Sequence, residues 1–189
     1  MNSTPKASIL WTRQDAISLE YFQLYEAPNE IRLSGTILVA HDGQPLRVEY
    51  VVNCDRDWST RSVRIAVADG SGSREMRLLV DDQRRWWSEG KELTEVAGCI
   101  DVDISLSPST NTLPIRRLSL TQGEERDVAA AWVRFPDLAI ERLPQRYVRT
   151  GESLYRYSSG GGAFTADIEV DGLGLVVRYP PLWERAGLG

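Results

Sequence analysis

Residues 98–120 read GCIDVDISLSPSTNTLPIRRLSL. The first part alternates: Ile100, Val102, Ile104 and Leu106 fall on one face of a strand, and Asp101, Asp103 and Ser105 on the other. The spacing predicts a strand over 99–106 and then a turn, SPSTNT, whose hydroxyl and amide side chains offer caps for a short helix. Pro114 suits the first turn of that helix, where a missing N–H costs nothing. At about 100° per residue, Leu113 and Leu120 lie on one side and Ile115 and Leu118 on nearly the opposite side. A short helix that is apolar on two sides is one that is covered on two sides. Arg116 and Arg117 flank the Leu113 edge, and an unpaired buried guanidinium costs several kcal/mol. Asp101 and Asp103 are the nearest carboxylates in sequence, so an ion-pair network between strand and helix is expected. A second reading makes these groups the polar floor of a ligand cavity.

Outside this stretch the chain reads as strands joined by tight turns. RLSGTILVA and QPLRVEYVVNCD flank Asp42-Gly43, a hairpin signal. RSVRIAVA and REMRLLVDD flank DGSGS at 69–73, and RRWWSEGKELTEV turns at Glu89-Gly90. DVAAAWVRF and LAIERLPQRYVR are separated by Pro136-Asp137, and AFTADIEVD and LGLVVRYP turn at Asp171-Gly172. Each strand can pair with its neighbour, so a long antiparallel meander is expected, most economically wrapped around the one internal helix. The SSGGG run at 158–162 is expected to be a mobile loop. It lacks the spacing and following helix of a phosphate-binding loop.

The 189 residues fit one domain, 1–189, with a substantial core. A net charge of −5 and the lack of a basic run argue against nucleic acid as a partner. No window is apolar enough for a membrane span or a signal peptide's central region, so a cytoplasmic protein is expected. Cys54 and Cys99 read as small buried hydrophobes rather than metal ligands or a disulfide. One histidine, His41, cannot supply a multi-histidine metal site or complete a Ser–His–Asp arrangement; it reads as a solvated hairpin residue. No metal or other cofactor is expected.

Adjacent strand residues point to opposite faces, so of Trp86 and Trp87 one ring is core and the other is outward, free for a sugar face or a subunit interface. Tyr147, Tyr155, Tyr157 and Trp132 form an aromatic group in the second half, core by default and a plausible wall of any lipid or sugar site. Asp101 and Asp103 could place carboxylates about 6–7 Å apart on one strand face. Inverting glycosidases space theirs by roughly 6.5–9.5 Å. Nearby arginines would lower their pKa values, whereas a general acid needs a raised one, so catalysis is the secondary reading.

The run 98–118, with RRWW upstream, AWVRFPDLAIERLPQRY downstream and the ending VDGLGLVVRYPPLWERA, resembles the glycolipid-binding family of bacterial proteins. The likeness spans Trp11 to Arg185, and TNTLPIRRL at 110–118 is its most specific part. The resemblance implies a mainly β fold, a spiral β-roll whose many-stranded antiparallel sheet wraps a single short α-helix and which assembles as a homodimer. It also implies binding of a glycolipid or similar amphipathic small molecule, an activity inferred for the family from structural likeness to lipoprotein localisation factors. It brings no catalytic residues. The candidate ligand-binding residues are Trp87, Asp101, Asp103, Asn111, Arg116, Arg117 and Tyr147. The alternative is an enzyme acting on a sugar or acyl conjugate through Asp101 or Asp103 with Arg116.

Overall fold

The structure, a computed structural model, describes residues 4–188. The first half is a run of eight strands: β1 (Ala7–Arg13), β2 (Ser18–Glu26), β3 (Ile31–His41), β4 (Gln44–Cys54), β5 (Thr60–Asp69), β6 (Gly72–Val80), β7 (Trp86–Ser88) and β8 (Lys91–Glu92). A short turn leads to β9 (Asp101–Ile104) and then to the helix α1 (Thr112–Leu118). Six strands follow: β10 (Glu125–Val133), β11 (Ile140–Arg149), β12 (Leu154–Ser159), β13 (Phe164–Val170), β14 (Val176–Tyr179) and β15 (Trp183–Leu188).

All fifteen strands form one sheet, ordered β8-β7-β6-β5-β4-β3-β2-β1-β15-β14-β13-β12-β11-β10-β9. The first and last strands pair in its middle, and its two free edges, β8 and β9, are consecutive in sequence. The sheet therefore rolls up without closing into a barrel. At the seam the Thr60 amide donates to the Ile100 carbonyl (3.1 Å) and the Val102 amide donates to Thr60 Oγ1 (3.1 Å), tying the β9 edge to the start of β5.

The predicted hairpins form for the expected reason. Asp42-Gly43 and Glu89-Gly90 both take positive φ at both positions (49° and 76°, 50° and 79°), as a two-residue turn matching strand twist requires. β4 alternates from Leu46 to Cys54 with every second residue buried. Trp86 is buried, its Nε1 donating to the Cys99 carbonyl (2.9 Å), and Trp87 faces outward. Cys54 and Cys99 are free and buried, and burial pushes both thiols up.

Three expectations change. β9 is not part of an antiparallel meander; it pairs in parallel with β10. Parallel neighbours need a crossover of a dozen or more residues, and the stretch from 105 to 124, with α1 inside it, is that crossover. The SSGGG run is not a free loop: Ser158 and Ser159 pair with Thr165 and Phe164, and only Gly160–Gly162 turn, all three at positive φ. Among the described residues no side chain caps α1: Thr110 Oγ1 accepts from the Ile104 amide, Asn111 Oδ1 accepts from Tyr147, Ser107 and Ser109 join a cluster described next, and Thr112 Oγ1 is buried without a partner. The helix itself lies against the inner face as expected, with Leu113 and Ile115 in the core beside strand residues.

A buried cluster pins the approach to α1. Tyr50 on β4 sits opposite Gly35 on β3, and its ring lies where a residue-35 side chain would be. The phenol thereby crosses a whole strand, donates to Glu20 Oε1 on β2 and meets Ser109 Oγ at 2.7 Å; Ser107 Oγ donates to the same Glu20 oxygen (2.8 Å). A Cβ on residue 35 would stand 2.4 Å from the Tyr50 ring. Gly35→Ala is accordingly expected to cost about 3 kcal/mol in urea denaturation by overpacking. The same change costs far less where Tyr50 has been replaced by Val, since the collision partner is gone.

Candidate functional site

The seven residues singled out from the sequence fall in separate places. Arg117 and Asp101 clamp each other: Nε donates to Oδ1 (3.1 Å) and Nη2 to Oδ2. Their side chains are 14% and 2% exposed, so the pair is a strut between α1 and the edge strand β9. Burial raises the Asp101 carboxyl, opposed by the bond to Arg117 and by the charges of Arg117 and Arg84.

Among the described residues Asp103 has no arginine partner, contrary to expectation. Gln145 on β11 donates its amide to Asp103 Oδ2 (2.6 Å) and to the Tyr157 hydroxyl (3.0 Å). Burial pushes Asp103 up to about 6, and the Gln145 hydrogen bond only partly opposes it. The lowered carboxyl expected from neighbouring arginines is therefore corrected: α1 turns both guanidinium groups elsewhere. Next to this pair, Tyr147 OH donates to Asn111 Oδ1 (2.9 Å), and the Tyr147 and Tyr157 rings are 5.1 Å apart. Asp103, Asn111 and Tyr147 thus meet in one interior polar seam, completed by Gln145, which no sequence motif marks. Tyr179 and Phe164 extend its aromatic side. Trp132 and Tyr155 do not join; their rings are covered by Arg134 and Arg149.

Trp87 stands apart from all of these. Opposite Leu79 on the outer face, with Arg85 over its ring (5.6 Å), it lines an open groove of about 620 Å³.

Arg116 is the exposed member of the α1 pair. Among the described residues it makes no ion pair; its guanidinium lies 5.1 Å from the ring centre of Trp58, in the β4–β5 connection. It opens onto a cleft of about 460 Å³ at the C-terminal end of α1, walled by Ile115, Ser119, Tyr155 and Val170. Gly174 makes room for it: at φ +76° a Cβ there would come within 2.8 Å of Arg116 Cδ.

The other charges lining this cleft differ in freedom. Arg149 donates to the carbonyls of Leu120 (2.7 Å), Gly151 (3.2 Å) and Glu152. Asp171 accepts from the amides of Leu173 (2.9 Å) and Leu175 (3.0 Å) and from Arg185 Nη2 (2.8 Å). The Glu152 carboxylate, like Arg116, has no partner among the described residues. Arg149, Ser119 and Glu152 were not found from the sequence: Ser119 ends α1, Arg149 and Glu152 lie at the β11–β12 turn, and only the rolled sheet brings that turn to the helix end.

Asp101, Asp103 and Arg116 are not assembled into one site. Asp101 is held by Arg117, Asp103 by Gln145, and Arg116 points into the cleft. No helix among the described residues is long and apolar enough to cross a membrane.

A comparison with curated proteins finds no match. Among solved structures, a DUF1089 family protein from Pseudomonas aeruginosa, determined by crystallography at 1.80 Å resolution, is similar: 33% identity, a TM-score of 0.80, and coverage of 88% of this chain and 91% of that one. The model of the family described as "Putative glycolipid-binding" matches residues 8–185. On that match and that likeness, the chain belongs to this glycolipid-binding family.

Proposed function

We propose that the chain binds a glycolipid or similar amphipathic small molecule without turning it over, with the head group in the cleft at the end of α1. The observation that carries this is Arg116, a guanidinium set against Trp58 and Gly174 yet without an ion-pair partner among the described residues, at the mouth of a cleft of about 460 Å³. Ligand sites of that size pair apolar walls, here Ile115, Val170 and Tyr155, with a few placed polar groups. The volume suits a head group and leaves the acyl part outside the cleft. The family's description supports the ligand class. Five of the other candidate residues serve this site indirectly, since the Asp101–Arg117 strut and the Asp103–Asn111–Tyr147 seam fix the helix that presents Arg116; Trp87, on the outer face, does not.

A homodimer fits the outer face. Ile17, Leu19, Tyr21 and Leu38 are all exposed, with Leu19 and Leu38 directly paired across β2 and β3, and contiguous exposed apolar surface marks an interaction face. A cytoplasmic location agrees with the two unpaired thiols, Cys54 and Cys99.

Native mass spectrometry of protein purified from cells tests both parts. The expected spectrum shows twice the chain mass with a co-purifying lipid adduct. Arg116→Ala keeps the dimer and loses the adduct, because a charged hydrogen bond of about 1.5–3 kcal/mol is worth roughly a tenfold to hundredfold change in affinity. An adduct undiminished by that substitution would remove the cleft from consideration.

A further inference from the structure

We propose that the head group taken by the cleft at the end of α1 is an anion of phosphate type, held by Arg116 together with the hydroxyls of Ser119, Ser153 and Tyr155. This rests on the ligand reading of the cleft given above and adds to it the charge of the ligand.

The first observation is a convergence of unused donors. The hydroxyls of Ser119, Ser153 and Tyr155 all line the cleft, and among the described residues none makes a hydrogen bond within the chain or is sealed away from solvent. Arg116 and Ser119 are three residues apart, so they share one side of the helix end. Ser153 and Tyr155 come from the other wall, at the β11–β12 turn and on β12. Three hydroxyls and a guanidinium thus reach one space from two elements. A hydroxyl donates as readily to a sugar oxygen as to a phosphate oxygen, so charge decides between them.

The second observation is that charge. Arg116 has no ion-pair partner, and Arg149 spends its N–H groups on three carbonyls with no carboxylate against it among the described residues. Asp171 is already answered by Arg185 Nη2 (2.8 Å) and two backbone amides. Two whole positive charges therefore stand against Glu152 and about half an elementary charge at the C-terminal end of the helix. The balance stays positive, and Glu152 sits on an exposed turn where salt and water screen it. A neutral sugar leaves that surplus unanswered. A phosphate monoester brings nearly two negative charges and three terminal oxygens, which accept from the planar guanidinium fork and from the hydroxyls together. A volume of about 460 Å³ leaves room for the group that carries the phosphate.

Isothermal titration calorimetry of the full chain at low ionic strength tests this with three probes: octyl phosphate, octyl glucoside below its critical micelle concentration, and inorganic phosphate. Octyl phosphate is expected to bind roughly tenfold or more tightly than octyl glucoside, as one charged hydrogen bond allows. Inorganic phosphate is expected to compete with it more weakly. Glu152→Gln is expected to tighten octyl phosphate several-fold and leave octyl glucoside unchanged, a split that a merely structural glutamate does not give. Octyl glucoside binding as tightly as octyl phosphate, or no effect of Glu152→Gln on the phosphate, overturns the anionic head group. Inorganic phosphate binding as tightly as octyl phosphate overturns instead the amphipathic ligand and leaves a site for the free anion. Octyl phosphate binding that survives Arg116→Ala, or no binding of any probe, overturns the cleft reading beneath both.

Discussion

Arg117→Met is expected to destabilise the protein by about 3–5 kcal/mol at pH 7, because it leaves the Asp101 carboxylate, 2% exposed, without its counter-ion. The pair is costly to break and yet contributes little as a pair. Burial raises the Asp101 carboxyl even with a guanidinium fork on it, so loss of hydration outweighs what Arg117 returns. The double replacement Asp101→Leu with Arg117→Met is therefore expected to lie within about 1 kcal/mol of wild type, or above it. Arg117→Lys falls between, since an ammonium cannot reproduce the two parallel bonds of the guanidinium. Urea midpoints for the three variants decide the matter. A single mutant as stable as wild type would mean that the strut between α1 and β9 does not form in solution.

That strut shows how far the sequence could be read. Two arginines 100° apart on a helix that is apolar on both sides, after a strand with two inward-capable aspartates, announce a covered helix needing charge compensation, and one such pair forms. Periodicity cannot say which arginine faces which acid, however. Arg117 takes Asp101, Arg116 goes to Trp58 in a loop 58 residues earlier, and Asp103 finds Gln145 on a strand that only the roll brings near. The hairpins were legible because their turns are local and their positive-φ positions are occupied by Asp-Gly and Glu-Gly. The parallel pairing of β9 was not, since residues 101–104 alternate like any strand and the choice of partner is made by the crossover. β1, β2 and β15 carry no clear signal either. On β2 the outward positions Leu19 and Tyr21 are apolar although exposed, which blurs the alternation with Ser18, Glu20 and Phe22 on the inner side.

Glu20 is where that blurring hides most. A carboxylic acid on the inner face of β2 reads as a surface residue between Leu19 and Tyr21, and only the register that sets Gly35 against Tyr50 reveals it as buried. Its Oε1 accepts from Tyr50 and Ser107, its Oε2 has no partner, and no cation contacts it among the described residues. Burial pushes it from 4.5 up to about 8, with the two hydrogen bonds opposing. In the unfolded chain the acid ionises near 4.5, so between there and about 8 the folded state holds a proton that the unfolded state has released. Stability contributed by the neutral acid is thus complete below 4.5, falls through that window, and is gone above about 8, a loss on the order of 5 kcal/mol at 1.36 kcal/mol per unit. Glu20→Gln keeps the shape of the neutral acid and cannot ionise. The variant is expected to match wild type at pH 4.5 and to exceed it by a margin that widens up to about pH 8 and then levels off. The effects of Asp101 and Asp103, raised in the same direction, are common to both proteins and cancel in the difference. Urea denaturation at intervals from pH 4.5 to 9.5 measures that margin. A difference that stays flat across the range would mean that Glu20 is hydrated in solution and that the Tyr50 ring does not cross Gly35 to reach it.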